Sequence, residues 1–317
     1  MAVAIPMMMN ETLQSLESRL APLGDVGRPL AHHDLKLLSA LDHEGLGGFW
    51  QVWREFPAER RLEVVQALDA LSEDNIDLDF HPVLRACLSD PDDLVRAAAV
   101  AGLWEDESER TMERFLAMLD DDAGPVRAAA TIALARFAYR AEIGTLSVST
   151  GQRLLTELLR VTVDPEQPLE VRRRAVEALG YFANSREAQA EIGRAYAHAE
   201  LAMRESAILA MGRSMRPTWF PYIERELQSP APSLRYEAAR AVGELAEDGR
   251  PLLTALLPLV DDDLEISLAS IWALGQVGGP NAKRILERLA RSQEPSRRQA
   301  AHDALAELNL EDVDPYF

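Results

Sequence analysis

Through most of the chain, apolar and small residues return at i, i+4, i+7 and i+8, one stripe of an amphipathic α-helix. The stripe is carried by a recurring run. An apolar residue is followed by an arginine, two variable residues, a small residue, two more variable residues, an alanine, then a leucine or similar and often a glycine. It runs from Val95-Arg96 to Leu103, Val126-Arg127 to Leu134, Val171-Arg172 to Gly180, Met203-Arg204 to Gly212 and Leu234-Arg235 to Gly243. Ile266-Ser267 to Gly275 and Arg297-Arg298 to Leu305 continue the series, and a weaker copy, Arg60-Arg61 to Leu68, precedes it. The second position falls at 61, 96, 127, 172, 204, 235, 267 and 298, so the intervals are 35, 31, 45, 32, 31, 32 and 31 residues. Intervals this regular mark a repeat architecture.

Ahead of these runs lie other amphipathic segments, among them 111–119, 153–161, 219–227, 252–260 and 282–289. Between the two segments of a copy stand helix stops and starts such as Ser89-Asp90-Pro91-Asp92, Asp121 to Pro125, Ser229 to Pro232 and Asp261-Asp262-Asp263. Proline ends one helix there and aspartate caps the next. The unit is helix, tight turn, helix in about 31 residues, and one such pair cannot bury both its apolar faces, so neighbours must stack. The predicted fold class is all-α: an α-α superhelix, a solenoid of about eight helical pairs. Residues 1–46 fit the repeat poorly and are expected to form an N-terminal helical cap; the array spans 47–306; residues 307–317 form an acidic C-terminal tail, read as a frayed end or a short docking motif. The 45-residue interval carries about 14 extra residues around 139–151, expected as a surface loop. The glycines closing many copies suit left-handed helix C-caps.

Composition narrows the functional classes. Of the 317 residues 47% are hydrophobic and 27% charged, as in a folded protein. The formal net charge of −19 repels phosphate backbones and anionic lipid heads. The acidity is uneven: residues 41–130 hold 21 acids against 8 basic residues, whereas 161–250 hold 14 against 12. The single cysteine, Cys87, allows no internal disulfide and sits in an apolar stretch as a buried thiol. No apolar run is long enough to span a bilayer, and the stretch 1–10 lacks a basic leader and contains Pro6; a cytoplasmic location is expected.

The helical pair, its recurrent arginine and its proline- and aspartate-rich turn resemble HEAT repeats, in particular the short bacterial kind also found in phycobilin lyases, over roughly residues 47–306. The resemblance implies a ladder in which an acid six residues before the arginine joins neighbouring repeats. Asp90, Asp121, Glu166 and Asp261 hold that acid position, His198, Ser229 and Ser292 depart from it, and Ser267 replaces the arginine itself. Some HEAT proteins are enzymes. Deoxyhypusine hydroxylases carry several iron-binding His-Glu pairs, but this chain has only His43-Glu44. It has no His-Glu-x-x-His, paired Cys-x-x-Cys or Gly-x-Ser-x-Gly, and Gly45-Leu46-Gly47-Gly48 lacks the remainder of a phosphate loop. No catalytic, metal-binding or cofactor-binding residue is therefore nominated.

The resemblance also implies that the second helix of each pair lines a concave face. The variable positions there are alanine in early copies, such as Ala97, Ala98, Ala128 and Ala129. Later copies offer residue types in which binding energy concentrates. The candidate partner-binding residues are Arg173, Arg174, Glu177, Leu209, Tyr236, Arg240 and Trp272. Trp272 has two readings, a wet recognition ring or ordinary packing on the adjacent helix. The expected function is a non-enzymatic scaffold or adaptor gripping a protein or peptide, without nucleic-acid or membrane binding. The alternative, which rests on the resemblance, is a lyase-like or chaperone-like subunit holding a tetrapyrrole or similar ligand.

Overall fold

The computed structural model of the chain describes residues 16–313, so the stretch 1–10 and the last four residues of the tail lie outside the described residues. Two compact units divide the chain, Met1–Leu134 and Ala135–Phe317. Among the described residues all regular structure is helical and forms eight successive pairs. No helix among them is long and apolar enough to cross a membrane.

In the first unit a short helix α1 (His32–Leu35), flanked by 3-10 turns Ala21–Gly24 and Lys36–Leu38, leads into the pairs α2 (His43–Trp53) with α3 (Ala58–Asp74) and α4 (His81–Cys87) with α5 (Asp93–Gly102). The third pair is α6 (Glu109–Met118) with α7 (Gly124–Glu142), a helix that begins in this unit and ends in the other. The leading segment, expected as a cap ending at 46, has no border there, because α2 runs through that position. Leu20, Leu23, Leu35 and Leu38 are buried, and the buried Arg60 guanidinium ties the segment to α3 by donating to the carbonyls of Leu23 and Arg28. Trp53 is in the core, and its indole N–H donates to Asp90 Oδ2 at 2.7 Å. Cys87 is also buried, and burial pushes its thiol pKa well up.

The ladder differs from the expected one in where each arginine finds its partners. The carboxylate comes from the following copy: Arg61 Nε lies 3.1 Å from Asp90 Oδ2, and Arg96 grips Asp121 with two bonds of 3.0 and 2.8 Å. The residue six positions earlier supplies its backbone carbonyl instead, to Arg96 from Asp90 (2.8 Å) and to Arg127 from Asp121 (2.6 Å). The same carbonyl bond reaches Arg235 from Ser229 and Arg298 from Ser292, which is why serine suffices at those positions. Asp261 is not a ladder residue, since Arg235 takes Asp262 at 2.7 and 3.0 Å. Glu166 is not one for Arg172, which donates to the Thr162 carbonyl. Burial pushes the Asp121 carboxyl up, but the bonds from Arg96 and the Ala123 N–H, with the charges of Arg96 and Arg127, outweigh it and hold the group below the usual carboxylate range.

The second unit continues with α8 (Val148–Val163) and α9 (Leu169–Leu179), α10 (Arg186–Tyr196) and α11 (Leu201–Arg213), and α12 (Phe220–Glu226) and α13 (Pro232–Glu244). In the next pair Pro251 and Pro258 remove backbone donors and break the first helix into 3-10 turns around the single turn α14 (Leu253–Leu256), before α15 (Leu264–Val277). The last pair is α16 (Gly279–Leu289) and α17 (Pro295–Val313), so helix continues well into the segment expected as a tail. Ser147 and Ser185 cap α8 and α10 by accepting the N–H of Thr150 and Ala188, each at 3.1 Å.

Within this unit the second helices α9, α11, α13, α15 and α17 pack in sequence, each against the next. The recurrent glycines explain how closely. They are not left-handed caps: Gly212, Gly243 and Gly275 lie inside helices, and Gly180 has φ −53°. A Cβ on Gly180 would stand 2.8 Å from the Ala210 carbonyl oxygen, on Gly212 2.7 Å from Ala241 Cα, and on Gly275 3.0 Å from Ala304 Cβ. Each glycine is a shelf for an alanine of the next second helix.

The stretch 139–151 is mostly helix rather than the expected loop. α7 keeps its buried stripe through Phe137 and Ala138 and runs to Glu142, and α8 starts at Val148. The turn between them uses Gly144 at φ 75° and the Ser147 cap.

Candidate functional site

Two neighbouring second helices of the second unit build the site. Tyr236 and Arg240, one turn apart on α13, face Glu265, Leu268, Ala269 and Trp272 of α15, spaced as one helical stripe. These six residues line an open trough of about 570 Å³. Here the shelf rule is broken. The residue over Gly243 is not alanine but Trp272, whose indole lies where a Cβ on Gly243 would come 2.7 Å from Cε3 and 2.8 Å from Cη2. One part of the ring is thus packed against backbone, while 36% of the residue stays exposed to the trough. The two readings of Trp272 are therefore not exclusive.

Charges surround the aromatic pair. Arg240 Nη2 is 4.0 Å from Glu244 Oε1, a loose pair that leaves most of the guanidinium's donors for a ligand. Beside it the Glu237 carboxyl is pushed above its usual range, first by burial and further by Glu177 and Glu205, with Arg240 and Arg213 opposing. Its Oε2 is buried and has no hydrogen-bond partner.

The other nominated residues divide differently. Arg173, Arg174 and Glu177 on α9 form a closed ionic cluster with Glu170. Arg173 makes bonds of 2.5 and 2.8 Å to Glu170, and Arg174 bonds both Glu170 (2.9 Å) and Glu177 (3.0 and 3.1 Å). Burial pushes Glu170 up, but the bonds and charges of the two arginines hold it below its usual range. Glu177 is itself buried and accepts from Ser206 Oγ at 2.7 Å, so it locks α9 to α11 and offers no open contact. Leu209 is a correction: at 5% exposed it belongs to the core, because the stripe turns inward by that position on α11. Tyr236, Arg240 and Trp272 are brought together, Arg173 and Arg174 are engaged by acids, and Glu177 and Leu209 are enclosed. Glu265 and Glu237 were not nominated, although both lie a helical step from nominated positions. Among the described residues, no group of three or more His, Cys, Asp or Glu side chains is placed to hold a metal ion.

Paired helices on glycine shelves, joined by an arginine–aspartate ladder, define a tandem helical-repeat protein. The family model for HEAT repeats matches residues 81–166 and 220–306, more than half of the chain, and the chain belongs to the HEAT-repeat family. No curated protein matches the sequence. Among solved structures, the complex of CpcE and CpcF of phycocyanin lyase from Nostoc sp. PCC7120 is similar at 19% identity with a TM-score of 0.52, covering 74% of this chain and 94% of that one. The Kap95:Nup1 complex matches at 13% identity and TM-score 0.51, covering 95% of this chain and 46% of that one. Kap95p bound to RanGDP matches at 16% and 0.50, with 93% and 45% covered. At these identities the likeness is one of fold.

Proposed function

We propose that the chain is a non-enzymatic adaptor that holds a protein or peptide on the row of second helices, with Tyr236, Arg240 and Trp272 as the principal contacts. The observation that carries this reading is Trp272. A tryptophan anchored on one side and left wet on the other, beside a tyrosine and an underused guanidinium, has the composition of a binding hot spot. The similar solved structures are themselves complexes of proteins, as their descriptions state for CpcE with CpcF and for Kap95 with Nup1. Arg173 and Arg174 join the surface as its polar rim, and a cytoplasmic setting is part of the proposal.

The test is capture of the co-purifying partner by the intact chain and by the double variant Tyr236→Ala, Trp272→Ala. Loss of a hot-spot side chain costs about 2 kcal/mol or more, roughly a thirtyfold loss of affinity. Helicity should be unchanged, because both residues lie outside the buried core. Undiminished capture would refute the reading. A tight, visible-absorbing complex with a bilin, lost in the same variant, would favour the tetrapyrrole-holding alternative instead.

A further inference from the structure

A second cavity, about 270 Å³, opens in the same unit at the ends of α8 and α10 and the starts of α9 and α11, away from the trough. Arg172, Arg194 and His198 line it, together with Glu191, Thr162 and Met203. Its chemistry follows from comparing the copies with one another. Arg61, Arg96, Arg204 and Arg235 each reach a carboxylate, those of Asp90, Asp121, Glu226 and Asp262. Arg127 gives one terminal nitrogen to the carbonyls of Asp121 and Asp122, and Arg172, which lines this cavity, reaches no carboxylate either. Its one hydrogen bond among the described residues runs from Nε to the Thr162 carbonyl, 3.1 Å, which leaves both terminal nitrogens as donors.

The residue at fault is His198. In the ladder copies one aspartate oxygen accepts the N–H two residues on, as Asp90 does from Asp92 and Asp121 from Ala123, each at 2.9 Å. For Asp121 the carboxylate also faces the preceding arginine. His198 keeps the first job and drops the second. Its Nδ1 accepts the Glu200 N–H at 3.0 Å, which leaves Nε2 as the ring's donor. The ladder thus loses an acceptor and gains a donor. Glu191, the one carboxylate on the wall, is already held by Arg194 at 2.7 Å.

We infer that this cavity is a binding site for a small organic carboxylate, which takes the place of the missing ladder aspartate between Arg172 and His198. A planar carboxylate matches the guanidinium fork, as Asp121 does with Arg96, and the volume suits an anion of only a few heavy atoms.

The probe is succinate, added to the full chain while the thermal midpoint is followed, with inorganic phosphate as the comparison. Succinate should raise Tm in a saturable way, as any ligand of the folded state does. Arg172→Met should abolish the response. His198→Asp is the sharper variant, because it rebuilds the ladder: it should raise Tm by about 2–4 °C without ligand and remove the succinate response. No response of the native chain, or an undiminished response in His198→Asp, would overturn the inference. A response to phosphate equal to or stronger than that to succinate would overturn the carboxylate assignment. The trough variants Tyr236→Ala and Trp272→Ala should leave the response intact.

Discussion

Replacing one glycine at a time with alanine tests the close approach of the second helices. In a helix interior, glycine to alanine gains about 0.8–1 kcal/mol from backbone propensity alone. Gly47 in α2 is exposed with nothing within 4 Å of a built Cβ, so Gly47→Ala should realise that gain in full. At Gly212 the same Cβ would meet Ala241 at 2.7 Å from Cα and 2.8 Å from both Cβ and the carbonyl oxygen. Those atoms are backbone or directly attached to it, so they cannot swing aside and α11 and α13 must separate. Overpacking of this kind costs about 1–3 kcal/mol. Gly212→Ala should therefore be a net loss of up to about 2 kcal/mol, and the two variants should differ by the overpacking cost, about 1–3 kcal/mol. Thermal unfolding followed by circular dichroism resolves this easily, since 1 kcal/mol moves Tm by about 2–4 °C in a body of this size. A Gly212→Ala protein at least as stable as the native chain would refute the shelf and revive the reading of these glycines as helix caps.

Three further outcomes are expected. Gly243→Ala meets the Trp272 ring instead of backbone, so it should cost less stability than Gly212→Ala while shifting tryptophan fluorescence and weakening partner capture. Asp106 is buried; burial raises its carboxyl, but bonds from Thr111, Ser108 and Arg85 bring it down to about 2. A depressed carboxyl stabilises the fold above its ordinary pKa and loses that contribution as pH falls from about 4 to 2, so Asp106→Asn should cost about 2 kcal/mol at neutral pH and converge with the native chain in strong acid, as acid-unfolding curves would show. Asp121→Asn strips Arg96 of a bidentate partner in a partly buried setting and should lose about 1–3 kcal/mol in urea unfolding, with less loss at low pH, where Asp121 protonates in the native chain as well.

The repeat interval was enough to read the eight pairs from sequence, because a spacing near 31 residues fixes both the unit and its need to stack. It did not say how the extra residues of the 45-residue interval are spent. Phe137 and Ala138 continue the buried stripe and Ser147 caps the next helix, so the excess becomes helix with a short turn between. The glycines misled because glycine serves equally a left-handed cap and a tight crossing, and only the partner across the gap, Ala210 or Ala241, distinguishes them. At the site, Tyr236, Arg240 and Trp272 were legible from their place on the stripe. Leu209 was not, since one residue's rotation of a helix separates its lining from its core. Glu177 was not either, because its enclosure depends on Ser206 of the next copy.

A repeat protein carries its own comparison set, and the way each departure is compensated separates packing from binding. Where Ser267 stands in place of arginine, its hydroxyl donates to the Val260 carbonyl and Arg297 reaches back to the Asp262 carbonyl, so that copy closes on itself. Where Ser229 replaces the acid, Arg204 turns to Glu226 and the Ser229 hydroxyl keeps the turn. Two departures open onto a cavity. Trp272 over Gly243 is too large for its shelf and overhangs a trough, and His198 in the copy after Arg172 leaves a guanidinium without its acid beside a cavity. A buried or half-buried group left short of a partner costs the fold free energy that an apolar or paired substitute would not. Elsewhere the fold meets the same need with aspartate, glutamate or serine, and on the two proposals above a ligand meets it at these places.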